Sequence, residues 1–133
     1  MPHLNWLAVL AAAVSTFLIG GLWYSSALFG RAWMSANNFT SEDLKQGNMA
    51  KIFGLSFIFA LLMSANLAAF LADAKTTAAW GATAGFLAGF GWVTLGVATI
   101  ALFERRSWKY ILINGGYMTV SFTVMGLILG AWR

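Results

Sequence analysis

The side chains able to do chemistry in this chain are few and uncharged, and their placement is regular. Ser25 and Ser26 precede Arg31 by six and five residues, Ser56 follows Lys51 by five, Thr99 precedes Glu104 by five, and Asn114 follows Lys109 by five. On helices rising about 1.5 Å per residue, this puts a hydrogen-bonding group roughly 7–9 Å from a charged boundary on four separate segments. Such an inner polar layer can form a vestibule for an ion, water or a small neutral ligand. It can equally bond from helix to helix, or back to a carbonyl one turn earlier. Tyr24 and Tyr117 lie about one turn away. Asn66 is too deep in its own segment to join the layer and has the same two readings.

The chemistry left out is as informative. The chain has no cysteine and one histidine, His3, near its N-terminal end. A thiolate nucleophile, a multi-histidine metal site and a haem clamp are therefore unavailable within one chain. No Asp, Glu, Lys, Arg or His lies mid-segment, where proton relays and coupled carriers place theirs. No Ser-His-Asp set can be assembled. We expect no catalytic residue, no metal ligand, no cofactor and no enzymatic activity. The glycines at Gly81, Gly85 and Gly89 are not followed by Gly-Lys-Ser/Thr, so they do not form a phosphate loop. Nucleic acid is not an expected partner.

The elements that must carry these residues are set by composition. Of 133 residues, 60% are hydrophobic and 9% charged, against roughly 25% charged in soluble domains. The charges leave four long gaps, and a spanning helix needs about 20 predominantly apolar residues. The gaps predict an all-α integral membrane four-helix bundle. Residues 1–133 form a single transmembrane domain, with helices near 4–32, 52–72, 76–103 and 110–132 and a cytoplasmic loop 33–51. The first apolar run is too long, and its start too poor in Lys and Arg, for a cleaved signal peptide.

Four spans put both termini on one side. Arg31, Lys45, Lys51, Arg105, Arg106 and Lys109 fall on the other side, against Lys75 and Arg133 with the termini. Lys/Arg-rich short loops stay cytoplasmic, so both termini are predicted outside. Trp6, Trp80 and Trp132 match the outer boundary, Trp33 and Trp108 the inner one; Trp23 and Trp92 read as packing residues. Thr40-Ser-Glu-Asp43 resembles a capping box and predicts a short surface helix from Ser41 to about Met49.

Lipid competes with leucine for apolar contact, so helices in a bilayer associate through small residues. Every span has a small-residue stripe at four-residue spacing. The clearest are Gly81, Gly85 and Gly89 in the third span and Gly126 and Gly130 in the fourth. They predict either packing within the chain or a contact with a second subunit. Asn114-Gly115-Gly116 is a weak point where the fourth helix can bend or open, or pack closely.

Asn5-Trp6-Leu-Ala-Val-Leu, Gly20-Gly21-Leu-Trp23-Tyr24-Ser25 and Leu28-Phe29-Gly30-Arg31-Ala32-Trp33-Met34 resemble the N-terminal signature of a bacterial family. Leu102-Phe103-Glu104, Ile113-Asn114-Gly115-Gly116-Tyr117 and Met125-Gly126-Leu-Ile-Leu-Gly130-Ala-Trp132 resemble its C-terminal part. The family is catalogued as domain of unknown function seventeen-sixty-one. The resemblance implies a small bacterial inner-membrane protein with about four spans, and it brings no catalytic residues. Its motif positions here are Trp23, Tyr24, Ser25, Asn114, Gly115 and Tyr117. They predict a contact between the first and fourth helices. Ser26 stands where the family pattern usually has proline, which predicts a milder kink.

Three functions compete. The leading expectation is a non-enzymatic membrane component, an accessory subunit or self-assembling bundle, with membrane lipids and a homo-oligomer or larger membrane complex as partners. The alternatives are a small oligomeric channel or carrier for an ion or neutral solute, and a lipid- or quinone-interacting protein using Trp23 and Trp92.

Overall fold

The computed structural model describes residues 4–45 and 47–133, all its regular elements being helical; His3 lies outside the described residues. The helices are α1 (Trp6–Trp23), α2 (Gly30–Asn37), α3 (Met49–Phe70), α4 (Ala78–Ala88), α5 (Leu95–Phe103) and α6 (Trp108–Ala131). Trp6–Trp23, Met49–Phe70, Ala78–Phe103 and Trp108–Ala131 are each long and apolar enough to cross a membrane. The chain is an all-α, multi-pass membrane protein.

Each span opens on a side-chain cap, which satisfies backbone N–H groups that have no partner within the helix. Asn5 Oδ1 accepts from Leu7 and Ala8, Asn48 Oδ1 from Lys51, Thr77 Oγ1 from Trp80, and Ser107 Oγ from Tyr110. The Asn48 cap starts α3 at Met49, ahead of the expected Ile52.

The first span departs most from expectation. It ends at Trp23 and does not continue to Ala32. Ser25 Oγ donates to the Leu22 carbonyl at 2.6 Å, an acceptor a continuing helix would need. The chain then folds back on itself, with the Phe29 N–H on the Trp23 carbonyl at 2.9 Å and the Gly30 N–H on the Ser25 carbonyl at 2.8 Å. A Cβ at residue 30 would collide with the Tyr24 carbonyl oxygen, so only glycine lets α2 start against this turn. The mild kink expected from Ser26 is a full helix stop.

Loop one is corrected in the same way. Its α-helix is α2, earlier than expected, and it ends at Asn38 in the left-handed conformation (φ 57°). The reciprocal Thr40–Asp43 bonds of the capping box form, at 2.7 and 3.2 Å, but among the described residues only a 3₁₀ turn, Asp43–Lys45, follows.

In the third span a π-helical turn, Gly89–Thr94, joins α4 to α5. At Asn114-Gly115-Gly116 the close-packing reading holds and the bend does not: α6 runs unbroken, and a Cβ on Gly115 would lie 2.5 Å from the Thr94 side chain. The π turn aims Thr94 at α6, where its hydroxyl donates to the Gly115 carbonyl at 2.8 Å and lies 3.0 Å from that of Thr119.

α6 is the central helix. α4 packs along one side of it and α1 along another, and α3 flanks α1. The α4–α6 seam is the glycine face. A Cβ on Gly81 would strike the Gly126 carbonyl, one on Gly85 the Phe122 carbonyl, and one on Gly130 would lie 2.5 Å from the Thr77 carbonyl. These stripes therefore meet each other within one chain. On the other side, the buried Ser64 hydroxyl donates to the Val9 carbonyl at 2.8 Å and ties α3 to α1. Asn5 Nδ2 reaches the Trp132 carbonyl and Arg133 donates to the Leu71 and Asp73 carbonyls. The start of α1 and the ends of α3 and α6 are thereby gathered at one end of the bundle.

Candidate functional site: an aromatic cleft at the loop-one end

The site begins where α1 stops. Because the helix ends at Trp23, that side chain and Tyr24 turn onto α6. The Trp23 indole N–H donates to the Ile113 carbonyl at 2.9 Å. Gly116 lets the ring lie flat there, since a Cβ would sit 2.8 Å from it. The Tyr24 hydroxyl donates to Asn114 Oδ1 at 2.7 Å, and Asn114 Nδ2 donates to the Tyr110 carbonyl one turn back at 3.1 Å. The Tyr117 hydroxyl donates to the Thr16 carbonyl at 3.0 Å. In a medium without water, each bond removes the cost of an unpaired polar group.

The aromatic rings continue outward from this contact. Tyr117 and Tyr24 have centroids 5.3 Å apart, Tyr24 and Trp33 5.6 Å, and Trp33 and Phe39 5.4 Å, all edge-to-face. This is the favoured geometry for aromatic pairs. The ladder runs from α6 through the end of α1 to α2 and the start of loop one. It forms one wall of a cleft of about 840 Å³. Ile52, Phe53 and Ser56 of α3 form the facing wall, and Asp43 and Leu44 of loop one lie at the cleft too. Asp43 is the one charged residue lining it among the described residues. The Thr40 backbone N–H, followed by the Thr40 hydroxyl, holds its carboxyl below the ordinary aspartate value of 3.8. The arrangement offers aromatic faces, aliphatic walls and one carboxylate.

The inner polar layer does not converge. Asn114 and Ser56 both line the cleft. Ser25 is spent on the Leu22 carbonyl, and Ser26 is exposed in the turn. Thr99 bonds its own helix at the Leu95 carbonyl and is exposed on the far side of α5. Trp23, Tyr24, Asn114 and Tyr117 come together at the α1–α6 contact, and Gly115 faces Thr94 instead. Trp92 points outward, 81% exposed.

Sequence reading missed Trp33 and Phe39 as site residues. Trp33 matched an interfacial belt position, and nothing in the spacing marked the α1 stop that brings it to Tyr24. Thr94 was invisible because the π turn shifts its rotational phase. The positive signal for the site was the Trp-Tyr-Ser and Asn-Gly-Gly-Tyr segments. No curated protein and no solved structure matches the chain. A family model described as protein of unknown function (DUF1761) matches residues 7–130. With that match running from the first turn of α1 to the last turn of α6, the chain belongs to the DUF1761 family.

Proposed function

We propose that this is a non-enzymatic bacterial inner-membrane protein that binds a small amphipathic molecule in the aromatic cleft. The observation that carries the reading is the cleft itself. About 840 Å³ is within the range of small-molecule sites, which are mostly apolar with few placed polar groups. Its walls come from α1, α2, α3, α6 and loop one, so a ligand there would touch most of the elements at that end of the bundle.

Six of the eight Lys and Arg residues lie on the loop-one side. The positive-inside bias then gives both termini outside and opens the cleft at the cytoplasmic leaflet. A cysteine introduced at Lys45 should resist impermeant maleimide applied to intact cells; labelling there contradicts the orientation.

Photo-crosslinking tests the binding role. A benzophenone side chain at Phe53 should capture one defined small molecule in cells. The same group at Trp92, which faces outward, should capture only bulk lipid. Identical adducts at both positions contradict a dedicated site.

A further inference from the structure

We infer that the cleft takes a lipophilic organic cation: one positive charge carried on an apolar or aromatic body. This rests on the binding role proposed above and adds the ligand's charge.

Three observations carry it. First, Asp43 is the one charged lining residue among the described residues, and no basic side chain lines the cleft. Asp43 uses Oδ2 to accept the Thr40 N–H, which holds the carboxylate in place at the cleft. Second, Tyr24, Trp33, Phe39 and Tyr117 form a continuous run of rings. Ring faces attract a cation within about 6 Å of the centroid. Third, the hydroxyls of both cleft tyrosines and one amide N–H of Asn114 are already engaged. The Tyr24 hydroxyl is given to Asn114, the Tyr117 hydroxyl to Thr16, and the Asn114 amide to Tyr110. An anion entering the cleft meets a carboxylate and finds these donors taken, whereas a cation finds a counter-charge and aromatic surface.

The test uses the full chain in nanodiscs of zwitterionic phosphatidylcholine. The probes are tetraphenylphosphonium and the neutral triphenylphosphine oxide, followed by equilibrium dialysis. The cation should bind saturably and about fivefold more tightly than the neutral probe, the scale of one partly screened charge pair. Asp43→Asn keeps an oxygen for the Thr40 N–H and should bring the cation down to the neutral level. Trp33→Leu should weaken both probes. Equal binding of the two probes, or cation binding unchanged in Asp43→Asn, overturns the charge assignment while leaving the cleft as a binding site. No saturable binding of either probe, or binding unchanged in Trp33→Leu, overturns the assignment together with the binding role.

Discussion

The Tyr24 hydroxyl and the Asn114 side-chain carbonyl, 90 residues apart in sequence, are joined by a 2.7 Å hydrogen bond. The bond closes α1 onto α6 at the point where α1 stops being a helix. It also fixes the ring from which the aromatic ladder extends, so the wall of the cleft depends on it.

Replacing Asn114 with Leu leaves the Tyr24 hydroxyl without its acceptor in a half-buried, apolar setting. We expect a loss of about 1–3 kcal/mol in unfolding free energy. Tyr24→Phe should cost less, and adding it to Asn114→Leu should cost little more. A double-mutant cycle in detergent–lipid micelles measures this; additive effects contradict a direct bond.

The glycine seam makes a sharper contrast. Gly85→Ala and Gly126→Ala place a methyl against backbone across the α4–α6 contact, and overpacking of this kind costs about 1–3 kcal/mol or more. Gly54→Ala and Gly96→Ala place it in open space on helices and should be neutral or stabilising by up to about 1 kcal/mol. Thermal unfolding in one detergent compares all four. Equal losses at the seam and in open space contradict the packing.

Ser64 and Ser121 are both buried serines with opposite expectations. Ser64 donates to Val9, so Ser64→Ala should loosen α3 from α1 by about 0.6 kcal/mol, the average for such bonds between membrane helices. The Ser121 hydroxyl has no partner among the described residues, and removing a buried unsatisfied group is neutral to stabilising. Ser121→Ala should therefore hold or raise the melting temperature. The reverse ranking contradicts the two placements.

The spans and their small-residue faces were readable in sequence because each follows from local rules: charge-free length and a four-residue spacing. What escaped depended on rotation and on helix stops. The end of α1 at Trp23 arises from a serine back-bond and a turn that needs Gly30 at close quarters, and charge-free length carries no trace of either. The π turn then rotates Thr94 toward α6, while Thr99, at matching depth, faces away. Depth could be counted along the chain; convergence could not. Of the residues at the site, Tyr24, Tyr117, Ser56 and Asn114 were therefore legible, and Trp33, Phe39 and Asp43 were not.

Asp43 gives a pH prediction. Its pKa is lowered from 3.8 by bonds from Thr40. A depressed folded-state value contributes stability to the turn above the unfolded value and loses it as pH falls through the folded one. The Thr40–Asp43 turn should thus persist at pH 4 and open only at more acid pH. Carboxyl NMR titration should give a midpoint below 3.8, and Thr40→Val should raise it. A midpoint at or above 3.8 in the unaltered chain contradicts the paired geometry.

Native mass spectrometry of the chain in lipid from its own membrane tests the cleft most directly. Gly21 lines the cleft and has open space at its Cβ, so the side chain of Gly21→Trp branches from there into the cleft. The account predicts a retained small molecule at one per chain in the unaltered protein and its loss in Gly21→Trp, with the helical content of the two alike. A bare unaltered chain, or the same retained mass in the filled variant, contradicts it.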